Sequence, residues 1–172
     1  MTPTTFHTAR FTIRPYCLND KTRFVEMGTD KEVVRFMGGA DGDKVKQAQI
    51  FQKIFNLYSE PETNETKLFW AIAEANKLVG HVQLKQTIFT EEDELEIVYM
   101  IHPDARNHGV MSEVLDFFKS NQQLWGKRII ATADFDNDIS FRLLENWGIE
   151  KRDARIDPDD GVQFWKIWLK QE

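Results

Sequence analysis

The spacing of apolar residues changes character near Lys67, and that change commits the chain to a mixture of helices and strands. Before it, Ile50, Ile54 and Leu57 form one stripe at helical spacing beside Phe51, Phe55 and Tyr58, which predicts a helix from Asp43 to Tyr58. After it come short strand-like runs. Leu68–Ala73 and Leu78–Leu84 flank Glu74-Ala-Asn-Lys77 and read as a hairpin. Glu94–Ile101 is a strand ending near Pro103, and polar Thr90–Asp93 is the loop before it. Val110 to Trp125 carries Met111, Val114, Leu115 and Phe118 at i, i+3, i+4 and i+7, the pattern of an amphipathic helix. Ile129–Ala133 reads as a buried strand, Asn137 to Trp147 as a helix closed by Gly148, and Val162–Leu169 as a last strand.

The first third adds a strand over Arg10–Arg14 that stops at Pro15. A short helix from Asn19 or Asp20 should turn Phe24 and Met27 inward. Thr29-Asp-Lys-Glu32 has the form of a capping box. Val33, Phe36 and Met37 mark the face of the helix it starts, and Gly38-Gly39 ends it. The order is roughly β-α-α-α-β-β-β-α-β-α-β. The expected class is α/β (α+β): a mixed, mostly antiparallel central sheet with helices on both faces. No linker or repeat divides the 172 residues, so residues 1–172 are expected to form a single domain.

Composition excludes several functions. Apolar residues make up 41% and charged ones 29%, a globular balance and not that of a disordered chain. The net charge of −6 disfavours nucleic-acid binding, which needs clustered Lys and Arg, and suits a cationic partner. No run approaches a membrane span, and the first ten residues lack a basic start followed by an apolar run. A cytoplasmic protein without membrane or nucleic-acid partners is expected. The single cysteine, Cys17, can form no disulfide within the chain and reads as a packing residue.

Common chemical signatures are absent: no P-loop, no G-x-G-x-x-G, no G-x-S-x-G, no H-E-x-x-H and no C-x-x-C. His7, His81, His102 and His108 show no metal spacing, and no metal site is expected. Asp134, Asp136, Asp138 and Glu145 imitate a calcium loop, but Ile139 stands where the tight turn needs glycine. Capping of the next helix by Asp136 or Asn137 is the simpler reading.

The stretch Pro103-Asp-Ala-Arg106-Asn-His108-Gly109-Val-Met111-Ser112-Glu113 lies between a predicted strand and an amphipathic helix. A turn there presents unpaired N–H groups at the positive end of the helix dipole, which suits a diphosphate. Gly109 lets the backbone approach closely, and Arg106 and His108 add donors or charge. An ordinary strand-to-helix loop containing a glycine is the alternative.

Arg106-x-x-Gly109-x-Met111 resembles the acyl-CoA pyrophosphate loop of the GNAT superfamily of N-acetyltransferases. Asn137-x-x-Ser140, followed by Leu144, Gly148 and Ile149, resembles that superfamily's second hallmark. Thr8-Ala-Arg-Phe-Thr-Ile-Arg14-Pro15 and Asp30–Met37 look like the opening of the branch that acetylates ribosomal-protein N-termini. The resemblance covers nearly the whole chain in order.

The resemblance implies an acetyl-CoA-dependent enzyme that acetylates a primary amine on a protein N-terminus, a polyamine or an aminoglycoside-like molecule. Arg106, Asn107, His108, Gly109, Val110, Met111 and Ser112 would receive the pyrophosphate. The strand edge at Tyr99, Met100 and Ile101 would pair with the pantetheine arm, and Asn137 would contact that arm. Glu96 would relay the amine proton and Ser140 would donate to the leaving sulfur, with Glu94 and Asp134 as further carboxylate candidates. For Glu94 and Glu96, a solvated strand edge is the competing reading. The loop Gly38–Gly42 would help to shape the acceptor wall. Met111, Asn107 and Ile149 depart from the usual residues, and Leu144 stands where many members carry a tyrosine acid. A homodimer through the C-terminal strand or a helix face, and a non-catalytic acyl-CoA-binding domain, are the further readings.

Overall fold

The computed structural model describes residues 4–37, 42–58 and 68–171. The predicted stop at Gly38-Gly39 and most of the proposed acceptor loop lie outside those residues. The chain folds into two compact units, and two strands contribute to both.

The first unit holds the described parts of Met1–Gln83 together with Tyr99–Val110. Strands β1 (Phe6–His7) and β2 (Thr12–Arg14) precede helices α1 (Lys21–Thr29), α2 (Lys31–Val34) and α3 (Lys44–Leu57). Strands β3 (Phe69–Glu74) and β4 (Lys77–Lys85) follow, and β5 (Glu94–Ile101) ends in this unit. β1, β2, β3 and β4 pair in that order, all antiparallel. The β3–β4 hairpin turns through Ala75 and Asn76, both at positive φ, the hand that matches strand twist. Tyr16, Phe24, Met27, Phe51, Ala71 and Leu78 form a buried cluster. Tyr16 Oη lies 2.7 Å from His81 Nδ1 within it.

The predicted capping box does not form. Thr29 lies in the last turn of α1, where its hydroxyl donates back to the Val25 carbonyl at 2.8 Å. Asp30 has the extended backbone that a cap requires, and its carboxylate accepts the Glu32 and Val33 amides. Of the predicted α3 stripes, Phe51 is buried while Ile50 is 41% exposed.

Gly80 marks a close approach. A Cβ built there would lie 2.8 Å from both the Met100 carbonyl oxygen and Ile101 Cδ1. The carbonyl belongs to strand backbone, so β5 would have to move. Gly80→Ala is therefore expected to destabilise the protein by about 2 kcal/mol. Urea unfolding measures this, and a midpoint equal to wild type would contradict it.

The second unit holds Leu84–Val98 and the described part of Met111–Glu172. Helix α4 (Val110–Ser120) enters it, followed by β6 (Arg128–Asp134), α5 (Asp138–Trp147), β7 (Ile149–Ile156) and β8 (Gln163–Leu169). The α4 helix stops at Ser120, short of the predicted Trp125, and Gln122–Leu124 form a separate 3₁₀ turn. β5, β6, β8 and β7 pair in that order. The β5–β6 pairing is parallel and the other two are antiparallel, so the sheet is mixed and mostly antiparallel, as expected. β7 was not foreseen, because Ile-Glu-Lys-Arg-Asp-Ala-Arg-Ile lacks apolar alternation. It covers the flank of β8, whose backbone is therefore paired on both sides and offers no free edge for a dimer. No helix of the described residues is long and apolar enough to cross a membrane.

Candidate functional site

The turn after β5 is braced from beneath. Pro103–Ala105 form a 3₁₀ turn whose Asp104 carboxylate accepts from Arg23 Nη2 at 2.6 Å and Lys77 Nζ at 2.9 Å. His102 Nδ1 lies 2.8 Å from the same carboxylate, and its Nε2 lies 3.2 Å from Glu26 Oε2. The Arg23 hydrogen bond, then that of Lys77, holds the Asp104 carboxyl well below the usual carboxylate range. Arg23 Nε also donates to the Leu78 carbonyl, and the His102 amide donates to that of Val79. These carbonyls flank the register shift opposite Ile72 and Ala73. The bulge therefore supplies the acceptors that seat the turn.

Above this brace the backbone adopts positive φ at Asn107 (60°) and Gly109 (70°). Turns that contain left-handed residues can bring successive amides together as an anion-binding concavity. Asn107 and His108 are exposed, Val110 and Met111 are buried, and Ser112 is half-buried. Met111 therefore packs inward and does not fill the turn. Arg106 is ion-paired with Asp30, the carboxylate that caps α2. Tyr99, Met100 and Ile101 are half-buried at the end of β5.

In the second unit the β5–β6 ladder pairs Glu94 with Arg128, Leu95 with Ile129 and Glu96 with Ile130. No later β5–β6 pair occurs among the described residues, although β6 continues to Asp134 against β8. The two parallel strands stop bonding where the reactive carboxylate was expected. Glu96 is 6% exposed; Thr87 Oγ1 donates to its Oε2 at 2.8 Å and Thr132 Oγ1 donates to its Oε1. Thr132 follows Ile130 by two residues, so its hydroxyl reaches Glu96 just beyond the last ladder pair.

Glu94 has different partners. Lys166 Nζ donates to it at 2.7 Å, Trp168 Nε1 at 2.6 Å and the Glu91 amide at 2.9 Å. Burial pushes the Glu94 carboxyl up, but these donors and the ammonium charge hold it below its ordinary value. Both carboxylates are buried, so neither forms a solvated edge. Asp134 accepts the Asp136 amide, as a helix-entry residue does. Asn137 accepts the Ser140 amide at 3.1 Å and so caps α5 as predicted. Leu144 is fully buried.

The left-handed turn follows strand β5, and the β5–β6 ladder runs only as far as the buried Glu96. The family model described as "Acetyltransferase (GNAT) domain" matches residues 10–150. The chain belongs to the GNAT acetyltransferase family. Its fold is shared with a GNAT-family acetyltransferase from Bacillus anthracis (TM-score 0.75, 19% identity, covering 96% of this chain and 98% of the other). RimJ from Mycobacterium smegmatis, solved with CoA-disulfide, is similar at TM-score 0.74 and 14% identity, over 96% and 86% of the two chains. A candidate ribosomal-protein-serine acetyltransferase from Vibrio cholerae gives TM-score 0.70 at 16% identity, over 99% and 100%. No curated protein matches the sequence.

Within this GNAT chain, the sequence singled out Glu96, Asn137 and the Gly109 turn, but not their supports. Asp104, Thr87 and Thr132 carried no signal in their spacing, because their partners lie on other elements. The buried Tyr16 and half-buried Tyr58 of the first unit are engaged within it. Tyr58 donates to the Phe69 carbonyl, the Tyr16 hydroxyl lies against His81, and burial pushes both groups up.

Proposed function

We propose that the chain is an acetyl-CoA-dependent N-acetyltransferase acting on a primary amine, with residues 1–172 forming one such domain. A protein N-terminus is the first acceptor class; a polyamine or aminoglycoside-like amine comes next. A cytoplasmic location follows from the same reading. The observation that carries it is the left-handed turn at Asn107 and Gly109, which immediately precedes helix α4.

The exposed turn and the inward-packed Met111 fit a diphosphate. Residues Arg106 to Ser112 would hold it through backbone donors and the helix dipole. Tyr99, Met100 and Ile101 would offer backbone groups to the pantetheine arm, and Asn137 would contact it. Acetyl-CoA supplies an activated acyl group when bound. Glu96 would bind the incoming ammonium and take its proton through water. The amine nitrogen would then bond to the acyl carbon as the C–S bond breaks, and the proton shed by the new amide nitrogen would pass to the departing thiolate through the Ser140 hydroxyl, which gives one proton and takes one back.

Isothermal titration with acetyl-CoA is expected to show binding at micromolar ligand; no heat at millimolar ligand would defeat the proposal. A thiol-release screen over peptides, polyamines and aminoglycosides identifies the acceptor. The buried Leu144 favours one second reading, an acyl-CoA-binding domain without turnover, which predicts binding but no thiol release with any amine.

A further inference from the structure

We propose that Arg10 is a positioning residue of the diphosphate cradle, clamping the two peptide groups whose amides open helix α4. This rests on the acetyl-CoA reading above. Arg10 Nη1 donates to the His108 carbonyl at 3.0 Å, and Nη2 donates to the Gly109 carbonyl at 3.4 Å. One planar guanidinium therefore grips two successive carbonyls, a fork geometry that lysine does not have.

The consequence lies on the opposite side of those peptides. In a trans peptide the C=O and N–H point in opposite directions, and no peptide described here is cis. The peptide carrying the His108 oxygen also carries the Gly109 N–H. The peptide carrying the Gly109 oxygen carries the Val110 N–H. Fixing both oxygens toward Arg10 turns both N–H groups away from it, together, at the start of a helix whose first donors have no intrahelical partner. The cation also polarises both peptides and strengthens their donors.

Arg10 is itself held in place. The Thr8 amide donates to the Phe11 carbonyl at 2.9 Å, and the Phe11 amide donates to Thr8 Oγ1 at 3.0 Å. That tight turn sets Arg10 at its corner, and the guanidinium lies 4.6 Å from the centroid of the Phe11 ring. The side chain is exposed and both carbonyls can be solvated without it, so its loss should spare the fold. What is lost is the preset direction of two amides.

The test compares acetyl-CoA with S-acetylpantetheine, which lacks the diphosphate, in steady-state kinetics. Arg10→Met should raise the KM for acetyl-CoA about tenfold at unchanged kcat, and leave the kinetics with S-acetylpantetheine within about twofold of wild type. Arg10→Lys keeps the charge but loses the fork, and its KM should stay at least about fivefold high. An unchanged KM in Arg10→Met, a parallel rise for both thioesters, or a lysine variant equal to wild type would each overturn the clamp. Failure of the wild-type protein to bind acetyl-CoA would instead remove the reading beneath it.

Discussion

Glu96→Gln is expected to slow acetyl transfer by about 100-fold at pH 7, the usual contribution of a positioned proton acceptor. Glutamine preserves the shape of the side chain, so the loss reports charge and basicity. Thr87 and Thr132 each occupy one oxygen of Glu96. A carboxylate offers about four lone-pair sites, so two acceptor positions remain for an ammonium or a bridging water. An α-amino group has a pKa of about 8 and an alkyl amine one of about 10, so either is mostly protonated at pH 7 and would use that acceptor. Above the acceptor's own pKa, about 8 for a peptide N-terminus and about 10 for a polyamine, the amine arrives neutral, and the variant should recover much of the lost rate. A kcat/KM equal to wild type across the pH range would remove Glu96 from the reaction, and a loss that persists undiminished at high pH would assign it a purely structural role.

Glu94→Gln should cost about 3 kcal/mol of stability, since it leaves the buried Lys166 ammonium with only the exposed Glu91 carboxylate, 3.9 Å away, as a counter-charge. The Glu94 and Lys166 side chains are 5% and 4% exposed, and their charged atoms are 2.7 Å apart. For a chain of this size that loss corresponds to a fall in Tm of about 10 °C. Replacing both partners with apolar residues, Glu94→Leu with Lys166→Met, should be far milder, because no charge is then left buried. The penalty depends on pH with a definite sign. The folded carboxyl titrates below its ordinary value. Its contribution is therefore fully present above about pH 4.3, the unfolded value, and is lost as the pH falls through the folded one. Differential scanning calorimetry at pH 7 and pH 3 should show the gap between wild type and Glu94→Gln narrowing on acidification. A gap that is constant or wider at low pH would exclude the ion pair as its source.

Local signals were readable from the chain and distant pairings were not. The short apolar runs on either side of Glu74-Ala-Asn-Lys77 gave the β3–β4 hairpin, and the i, i+3, i+4, i+7 pattern gave α4. Asn137 announced its cap because the donor it satisfies is three residues away. Thr29 misled because a capping box is a pattern of residue types, and helix α1 had already claimed that threonine. The strand β7 carries charge where a strand usually alternates, since a flank strand need bury little. In the candidate site, the parity of Glu94 and Glu96 placed them on one face, but the partners that separate them are 72 and 36 positions away. The union of Arg106 with Asp30 spans 76 positions and left no mark in the motif that singled out Arg106.

β7 has a consequence for the molecule in crowded solution. Its outer side ends the ladder of the second unit, a position at which sheets tend to recruit further chains. Asp153 links Lys151 and Arg155 along one face, while Arg152 on the other lies 4.7 Å from the Trp165 ring centroid and 5.1 Å from that of Phe141. An incoming strand would have to strip water from three cations and dismantle those links before gaining a single backbone bond. The charged strip that obscured β7 in the sequence thus insulates the sheet against fibrillar growth.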